Sequence, residues 1–258
     1  MRSLETVRVT RYVTPLREGG SLPAIVEADD DGLYVLKFRG AGQGPLALVA
    51  ELITGELARA VGLPVPRLVL MDLDGDMART EPDPEISDLI RASAGLNLGL
   101  DFLPGSVMFD PTVTRPDPEI ASQIVWLDAF TSNVDRTARN TNLLLWHKRL
   151  WLIDHGASLY FHHSPTWTAD ILARARDPFA MIKEHVLLRF AGSLKQADEL
   201  LAPRVTPELI ADIVGMIPDA WLHDSASAVT AQRQDYARYL EARIASPRAF
   251  AEEALRVR

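Results

Sequence analysis

The feature that most constrains this chain is a set of polar side chains around two short apolar runs near its middle. Asp135 is followed five residues later by Asn140, and Asp154 comes directly after the second apolar run. The runs are Leu143–Leu145 and Trp151–Ile153, and the residues between them are polar enough for a tight connection. If the runs pair as strands, Asn140 and Asp154 lie at the same end of a hairpin.

This arrangement supplies the parts that phosphoryl transfer from ATP requires. One carboxylate, here Asp135, orients the attacking hydroxyl, while an amide and a second carboxylate, here Asn140 and Asp154, hold magnesium. Magnesium prefers oxygen ligands, typically one or two carboxylates together with substrate phosphate. Each spacing alone is also typical of an ordinary cap or turn. Their combination at hairpin spacing, with a lysine-bearing strand upstream, favours a kinase-like site.

Composition excludes several other classes of protein. With 258 residues, of which 47% are hydrophobic, the chain is long enough for one large domain or two lobes. A net charge of −8 argues against direct nucleic-acid binding through phosphate contacts. The absence of cysteine removes disulfides, thiolate zinc sites and thiol catalysis. The N-terminal residues lack the apolar core of a signal peptide, and no run approaches the roughly 20 apolar residues of a membrane span. We therefore expect a cytoplasmic protein without a membrane partner.

The N-terminal part is predicted to be rich in strands. Residues Val7–Val13 alternate weakly, and Asp31-Gly32 between two β-rich runs is a strong hairpin signal. Lys37 lies late in the second run, where a lysine either faces solvent or is held for phosphates. Upstream, Gly19-Gly20-Ser21 forms either a plain turn or a backbone nest that approaches phosphates. Residues 39–45 are rich in glycine but lack a Walker motif, and we interpret them as a flexible connection that closes over the nucleotide.

The remaining pattern predicts a helix at Leu46–Val61, a continuation of the sheet at Ala78–Glu81, and a helix at Glu85–Ala94. Residues 95–118 are assigned mostly to loops, and Pro118–Thr131 is a helix that leads into the polar segment. Further helices are predicted at Asp170–Arg176, Pro178–Phe190, Lys195–Leu201, Pro207–Met216, Ala226–Ile244 and Pro247–Leu255.

The polar segment resembles the HipA-like kinases, bacterial relatives of the protein-kinase and phosphoinositide-kinase folds. The resemblance is carried by residues 127–136, Asn140 and residues 153–156, and it extends from about Pro15 to the segment ending at Trp221. It is closest to the shorter members that lack the toxin's N-terminal extension. Two positions depart from the pattern, because Thr137 stands where the toxin has histidine and His155 stands where protein kinases have phenylalanine.

The resemblance implies an α+β, two-lobed kinase fold, with a β-rich N-lobe over residues 1–95 and a mainly helical C-lobe over residues 96–258. It implies that ATP and Mg²⁺ bind in the cleft and that the acceptor is a protein serine or threonine. Lys37 would hold the α- and β-phosphates, paired with Glu51 on the first helix rather than with Glu56. Asp135 would orient the acceptor hydroxyl. The nucleotide and its metal would be bound by Lys37, Gly19, Gly20, Ser21, Asn140 and Asp154, with Asn140 and Asp154 as the metal ligands.

Three neighbouring residues are expected to support this site. Arg136 would brace the loop, Asn142 would support the loop or the metal, and the Asp128 carboxylate would satisfy loop backbone amides.

Two other classes of function stay open. Small-molecule phosphotransferases of the antibiotic-kinase type also use Asp-x-x-x-x-Asn followed by an Ile-Asp turn, although they usually carry His-Gly where this chain has Asn133-Val134. An acidic groove beside Asp135 would favour a cationic small substrate of that kind. The second alternative is a nucleotide-binding scaffold that has lost transfer, against which the presence of Lys37, Asp135, Asn140 and Asp154 argues.

Overall fold

A computed structural model describes residues 3–16, 22–222 and 225–258. The strands are β1 (Thr6–Pro15), β2 (Ala24–Ala28), β3 (Leu33–Lys37), β4 (Leu68–Leu73), β5 (Gly95–Asp101), β6 (Val107–Met108), β7 (Leu143–Trp146) and β8 (Arg149–Leu152). The α-helices are α1 (Pro45–Val61), α2 (Pro84–Ala92), α3 (Pro118–Thr131), α4 (Ile171–Ala175), α5 (Leu194–Leu201), α6 (Pro207–Gly215), α7 (Ala226–Ile244) and α8 (Ala249–Val257).

The N-terminal strands form a small closed barrel in the order β1-β2-β3-β5-β4. β1 runs parallel to β4, and the other neighbours are antiparallel. Because side chains alternate along a strand, each strand turns one face toward the barrel interior. Val9, Val26, Leu36 and Met71 are among the buried residues of this interior. The predicted hairpin of β2 and β3 is confirmed, and Lys37 ends β3.

Helix α1 packs against both the barrel and the helical part of the chain. The fixed φ of proline suits the first turn of a helix, where Pro45 lies. Gly62 ends the helix in the left-handed conformation, with φ of 93°. Its residues Leu48, Leu52 and Ile53 belong to the same hydrophobic cluster as β5 and α3. The helix therefore connects the barrel to the rest of the molecule.

Helix α3 is the central element of the C-terminal part. The Asp117 side chain caps its first turn by accepting hydrogen bonds from two backbone amides, and Ser132 ends the helix with φ of 53°. Its aromatic residues Trp126 and Phe130 stack at 5.5 Å between ring centroids and pack against Phe250 of α8. No helix in the described ranges has the length and hydropathy required to cross a membrane.

The second sheet contains the hairpin that the polar segment predicts. Its strands lie in the order β6-β7-β8, and Leu143 pairs with Leu152. The predicted pairing of the two apolar runs is thus confirmed, with the polar residues before β7 and after β8 at one end.

Three local predictions are wrong. Residues Gly95–Asp101 form β5 rather than a loop, although glycine and asparagine within the strand suggest otherwise. Ala78–Glu81 does not continue the sheet, because Gly75–Thr80 forms a 3₁₀ helix. Pro178–Phe190 is not one helix. It contains two short 3₁₀ turns separated by residues 185–187, of which His185 is extended and bridges to the backbone of Thr137. The division into an N-lobe and a C-lobe at residue 95 stays a prediction. The barrel itself extends to Asp101, the last residue of β5.

Gly99 occupies a position in β5 where a side chain does not fit. A Cβ atom there would lie 2.7 Å from Met71 Cγ and 3.0 Å from Val69 Cγ2, both buried in the barrel. We expect Gly99→Ala to lower the free energy of unfolding by about 1–3 kcal/mol through overpacking. Gly215 of α6 is the matched control, since a Cβ there meets nothing within 4 Å. Gly215→Ala should be neutral or stabilising by up to about 1 kcal/mol.

Urea unfolding of both variants, followed by circular dichroism, measures the difference. Equal stabilities of Gly99→Ala and Gly215→Ala would contradict the close approach of Met71 and Val69 to the Gly99 backbone.

Candidate active site

The hairpin of β7 and β8 brings the two predicted metal-binding residues to one end. The Ile153 amide donates to the Asn142 carbonyl at 3.1 Å, which extends the strand pairing beyond the ladder. Asn142 and Asp154 then adopt left-handed conformations, with φ of 47° and 54°. Both backbones turn where the strands end, and such strained positions are frequent at functional sites. Asn140 and Asp154 line the same cavity.

The Asp135 carboxylate is held by two amide side chains. Its Oδ2 accepts hydrogen bonds from Asn140 Nδ2 at 2.7 Å and from Asn142 Nδ2 at 3.2 Å. The Asp135 backbone amide donates to Asn133 Oδ1 at 3.1 Å. Because Asn140 uses its nitrogen on Asp135, its side-chain oxygen is the atom suited to bind a cation.

A fully buried carboxylate, Asp128 at the end of α3, holds this loop. It accepts hydrogen bonds from Arg136 Nε at 2.6 Å, Asn133 Nδ2 at 3.0 Å and His185 Nε2 at 2.9 Å. Burial alone would raise the pKa of Asp128, but the Arg136 charge and the His185 hydrogen bond hold it well below its usual range. The expected structural role of Asp128 is therefore observed, but its side chain binds other side chains rather than the backbone amides that were predicted.

Arg136 braces the loop as expected. Besides its bond to Asp128, its guanidinium donates to the backbone carbonyls of Asn142 and Ile153. These two residues flank the hairpin, so one cation joins the loop to both strands. His185 was not predicted. Its partner Asp128 is 57 positions away in the sequence, and no local pattern marks the pairing.

Lys37 points into the site rather than to solvent. Its Nζ lies 2.7 Å from Asp154 Oδ1, and its side chain is 12% exposed compared with 41% for Asp154. Burial would lower the pKa of Lys37, but the negative charges of Asp154 and Glu51 raise it above its ordinary value. The lysine is therefore a cation at neutral pH, and it lies directly against a candidate metal ligand.

Glu51 does not form the direct pair with Lys37 that the resemblance implies. It is buried on α1, and its Oε1 accepts from His155 Nδ1 at 3.2 Å. Burial would raise the pKa of Glu51, but the Lys37 charge and the His155 hydrogen bond keep it below its usual value. A buried carboxylate requires donors, and here the imidazole supplies one while the ammonium binds Asp154. Lys37 and Glu51 interact through their charges without a direct hydrogen bond in the described structure.

His155 is thus a site residue whose role the sequence did not reveal. In the sequence, its position in Asp154-His155-Gly156 indicates only the loss of an aromatic residue. It is fully buried, and its second ring nitrogen, Nε2, has no hydrogen-bond partner among the described residues. Its visible role is to hold the Glu51 carboxylate.

A cavity of about 510 Å³ lies between the barrel and the second sheet. Lys37, Asn140, Asn142 and Asp154 form its polar side, and the rest is mainly apolar. Its apolar lining includes Val35, Leu100, Leu103, Met108, Leu144 and Ile153. Leu16 and Pro23 also line it. The predicted phosphate-binding residues Gly19, Gly20 and Ser21 lie outside the described residues, so their role stays a prediction.

Comparison with known proteins gives a family and a similar structure. The family described as HipA-like kinase matches residues 9–246. The crystal structure of a Helicobacter pylori proinflammatory kinase, CtkA, is similar with a TM-score of 0.59 and 13% sequence identity, covering 97% of this chain and 99% of that chain. At this identity the likeness concerns the fold alone. No curated protein matches the sequence. Membership of the family described as HipA-like kinase supports kinase activity. Because the family match spans most of the 258 residues, the chain belongs to the HipA-like kinase family.

Proposed function

We propose that this protein transfers the γ-phosphoryl group of ATP to a serine or threonine hydroxyl of an acceptor protein, with Mg²⁺ as the metal. The observation that carries the proposal is the arrangement of Lys37, Asn140 and Asp154 on one side of a cavity whose other walls are mainly apolar, with Asp101 and Ser106 as further polar lining residues. Asp135 is tied to the same group through Asn140. In this proposal the barrel is the N-lobe of a two-lobed kinase, the helical part is the C-lobe, and the cavity is the cleft between them.

The cavity suits a nucleotide in size and chemistry. Its volume of about 510 Å³ lies within the range of roughly 300–1,000 Å³ typical of small-molecule sites. Val35 and Leu100 from the barrel and Leu144 and Ile153 from the hairpin provide apolar surface for a flat base. The polar residues at the other side would then meet the phosphates.

The residues present fit a magnesium ion. Asp154 provides a carboxylate that is 41% exposed, and Asn140 provides an amide oxygen on the same cavity. The Lys37 ammonium already lies against Asp154, so the position favours positive charge. When bound, magnesium would neutralise the charge that develops on the transferred phosphoryl group.

The protein's own residues have separate tasks in this mechanism. Lys37 exchanges its contact with Asp154 for phosphate oxygens, and Glu51 keeps it charged. Asp135 orients the acceptor hydroxyl and receives its proton. The acceptor oxygen forms a bond to the γ-phosphorus while the bond from that phosphorus to the β,γ-bridging oxygen breaks, and ADP leaves. Asn140 and Asn142 hold Asp135 in place by their amide hydrogen bonds.

The first test of the proposal is magnesium-dependent ATP binding. ATP with Mg²⁺ should raise the unfolding temperature, because a ligand that binds only the folded state stabilises it by about 2.7 kcal/mol at a hundredfold excess over the dissociation constant. The shift should shrink in EDTA. Differential scanning fluorimetry measures it, and an equal shift in EDTA would contradict the metal site.

The two acids should fail in different ways. Asp154→Asn should weaken magnesium-dependent ATP binding and abolish transfer. Asp135→Asn should leave ATP binding nearly intact while transfer falls by about 10²–10⁴-fold, because Asp135 acts mainly in the transition state. Calorimetry of ATP binding beside a radiolabel transfer assay separates the roles. We call residues 133–142, which carry Asp135 and Asn140, the catalytic loop. Full transfer by Asp135→Asn would show that this loop does not carry the residue that orients the acceptor.

The charge of Glu51 should matter for transfer, whereas that of a neighbouring buried glutamate should not. The charges of Asp154 and Glu51 both raise the pKa of Lys37, and Glu51→Gln removes the second of them. Misplacement of the lysine should then reduce transfer by about 10²-fold. Glu56 is also buried on α1 but pairs with Arg59 at 3.0 Å, so Glu56→Gln is the matched control.

The double variant Lys37→Met/Glu51→Gln should be little worse than the poorer single variant, since residues that act as a unit are not additive. The measurement is kcat for transfer in all four variants. Additive losses for the pair, or an equal loss in Glu56→Gln, would contradict a joint role for Lys37 and Glu51.

A further inference from the structure

A second and larger cavity, an open groove of about 1000 Å³, lies beside the catalytic loop. One wall is formed by residues 108–112 and another by residues 183–186, 188 and 189, and residues 138–141 together with Val257 and Arg258 complete the lining. Asn140 and Met108 line both this groove and the smaller cavity. The amide that holds Asp135 therefore lies where the two cavities meet.

Exposed cations outnumber exposed acids in the groove. Arg139, Lys183 and Arg189 are exposed and line it, and none of them has a carboxylate partner within 4.0 Å in the part of the chain that the structure describes. Two acids also line it. The Asp110 carboxylate is used locally by the Thr112 amide and hydroxyl, at 2.7 and 2.6 Å, while Glu184 is exposed and, like the three cations, has no ion-pair partner among the described residues. Unpaired positive charge therefore exceeds unpaired negative charge in this groove, although the whole chain carries −8.

The wall that carries two of these cations is fixed to the catalytic loop. The Val186 amide donates to the Arg136 carbonyl at 3.1 Å, and Thr137 and His185 form a backbone bridge. The His185 imidazole binds Asp128, the same carboxylate that holds Arg136. The groove is thus positioned relative to Asp135 by buried contacts rather than by surface side chains.

We propose that this groove binds the phosphate acceptor as an extended polypeptide segment in which acidic residues flank the reactive serine or threonine. This inference rests on the proposed function. An acidic groove would favour a cationic small substrate, whereas the groove observed here is complementary to negative charge. It is open and has twice the volume of the smaller cavity, which suits a peptide, and Met108, 47% exposed, adds apolar surface at the junction of the two cavities.

The test uses two pools of degenerate serine peptides with radiolabelled ATP and Mg²⁺. One pool has flanking positions drawn from Asp, Glu, Ala and Gly, and the other has Lys and Arg in place of the acids. Lys183→Glu/Arg189→Glu reverses two charges of the groove. Lys195→Glu/Arg238→Glu is the matched control, because both residues are exposed and line none of the described cavities. ATP binding and ADP formation are measured for each protein.

The acidic pool should be labelled more than the basic pool by the wild type. The groove variant should raise KM for the acidic pool by about tenfold or more, since like charges across an interface are strongly unfavourable. Its ATP binding should stay unchanged, and the control variant should match the wild type. The inference would be overturned if the wild type preferred the basic pool, labelled both pools equally, or bound ATP but labelled neither pool. It would also be overturned if the groove variant and the control variant had equal KM values for the acidic pool. Failure of the wild type to bind ATP with Mg²⁺ would instead reject the proposed function on which the inference rests.

Discussion

The buried carboxylate of Asp128 is the interaction on which the rest of the site depends. A charge removed from water requires compensating donors, and Asp128 obtains three of them from the catalytic loop and from the segment at His185. Through Arg136 it also fixes the backbone on both sides of the β7–β8 hairpin. Loss of one partner of a buried pair typically costs about 3–5 kcal/mol, so this network favours one arrangement of loop, hairpin and groove wall.

A second set of charges joins the barrel to that arrangement. Lys37 comes from β3, Glu51 from α1, and Asp154 and His155 from the end of β8, so three elements meet through two acid–base contacts. Each acid has one close basic partner. Lys37 lies within electrostatic reach of both carboxylates, and we propose that the partners exchange during the reaction. In the proposed mechanism this exchange frees Asp154 for the metal and Lys37 for the phosphates.

Local patterns predicted the parts of the structure that depend on local geometry. The hairpin follows from the spacing of two apolar runs, and α3 follows from its capping aspartate and apolar composition. β5 was missed because Gly99 looks like a loop residue, whereas the barrel needs glycine there to make room for Met71. The histidine partners of Glu51 and Asp128 were missed for another reason. They are 104 and 57 positions away, and the choice among several buried donors is made only when the elements pack.

If phosphoryl transfer takes place where the barrel meets the β7–β8 hairpin, a bound nucleotide must lie there, and a crystal structure with Mg²⁺ and a non-hydrolysable ATP analogue would locate it. We expect the base to lie between Val35 and Ile153 and the metal to be bound by Asn140 and Asp154. Lys37 Nζ should leave Asp154 for a phosphate oxygen. An analogue bound elsewhere, or a Lys37–Asp154 contact that persists while the phosphates lie away from both residues, would contradict this location of the transfer.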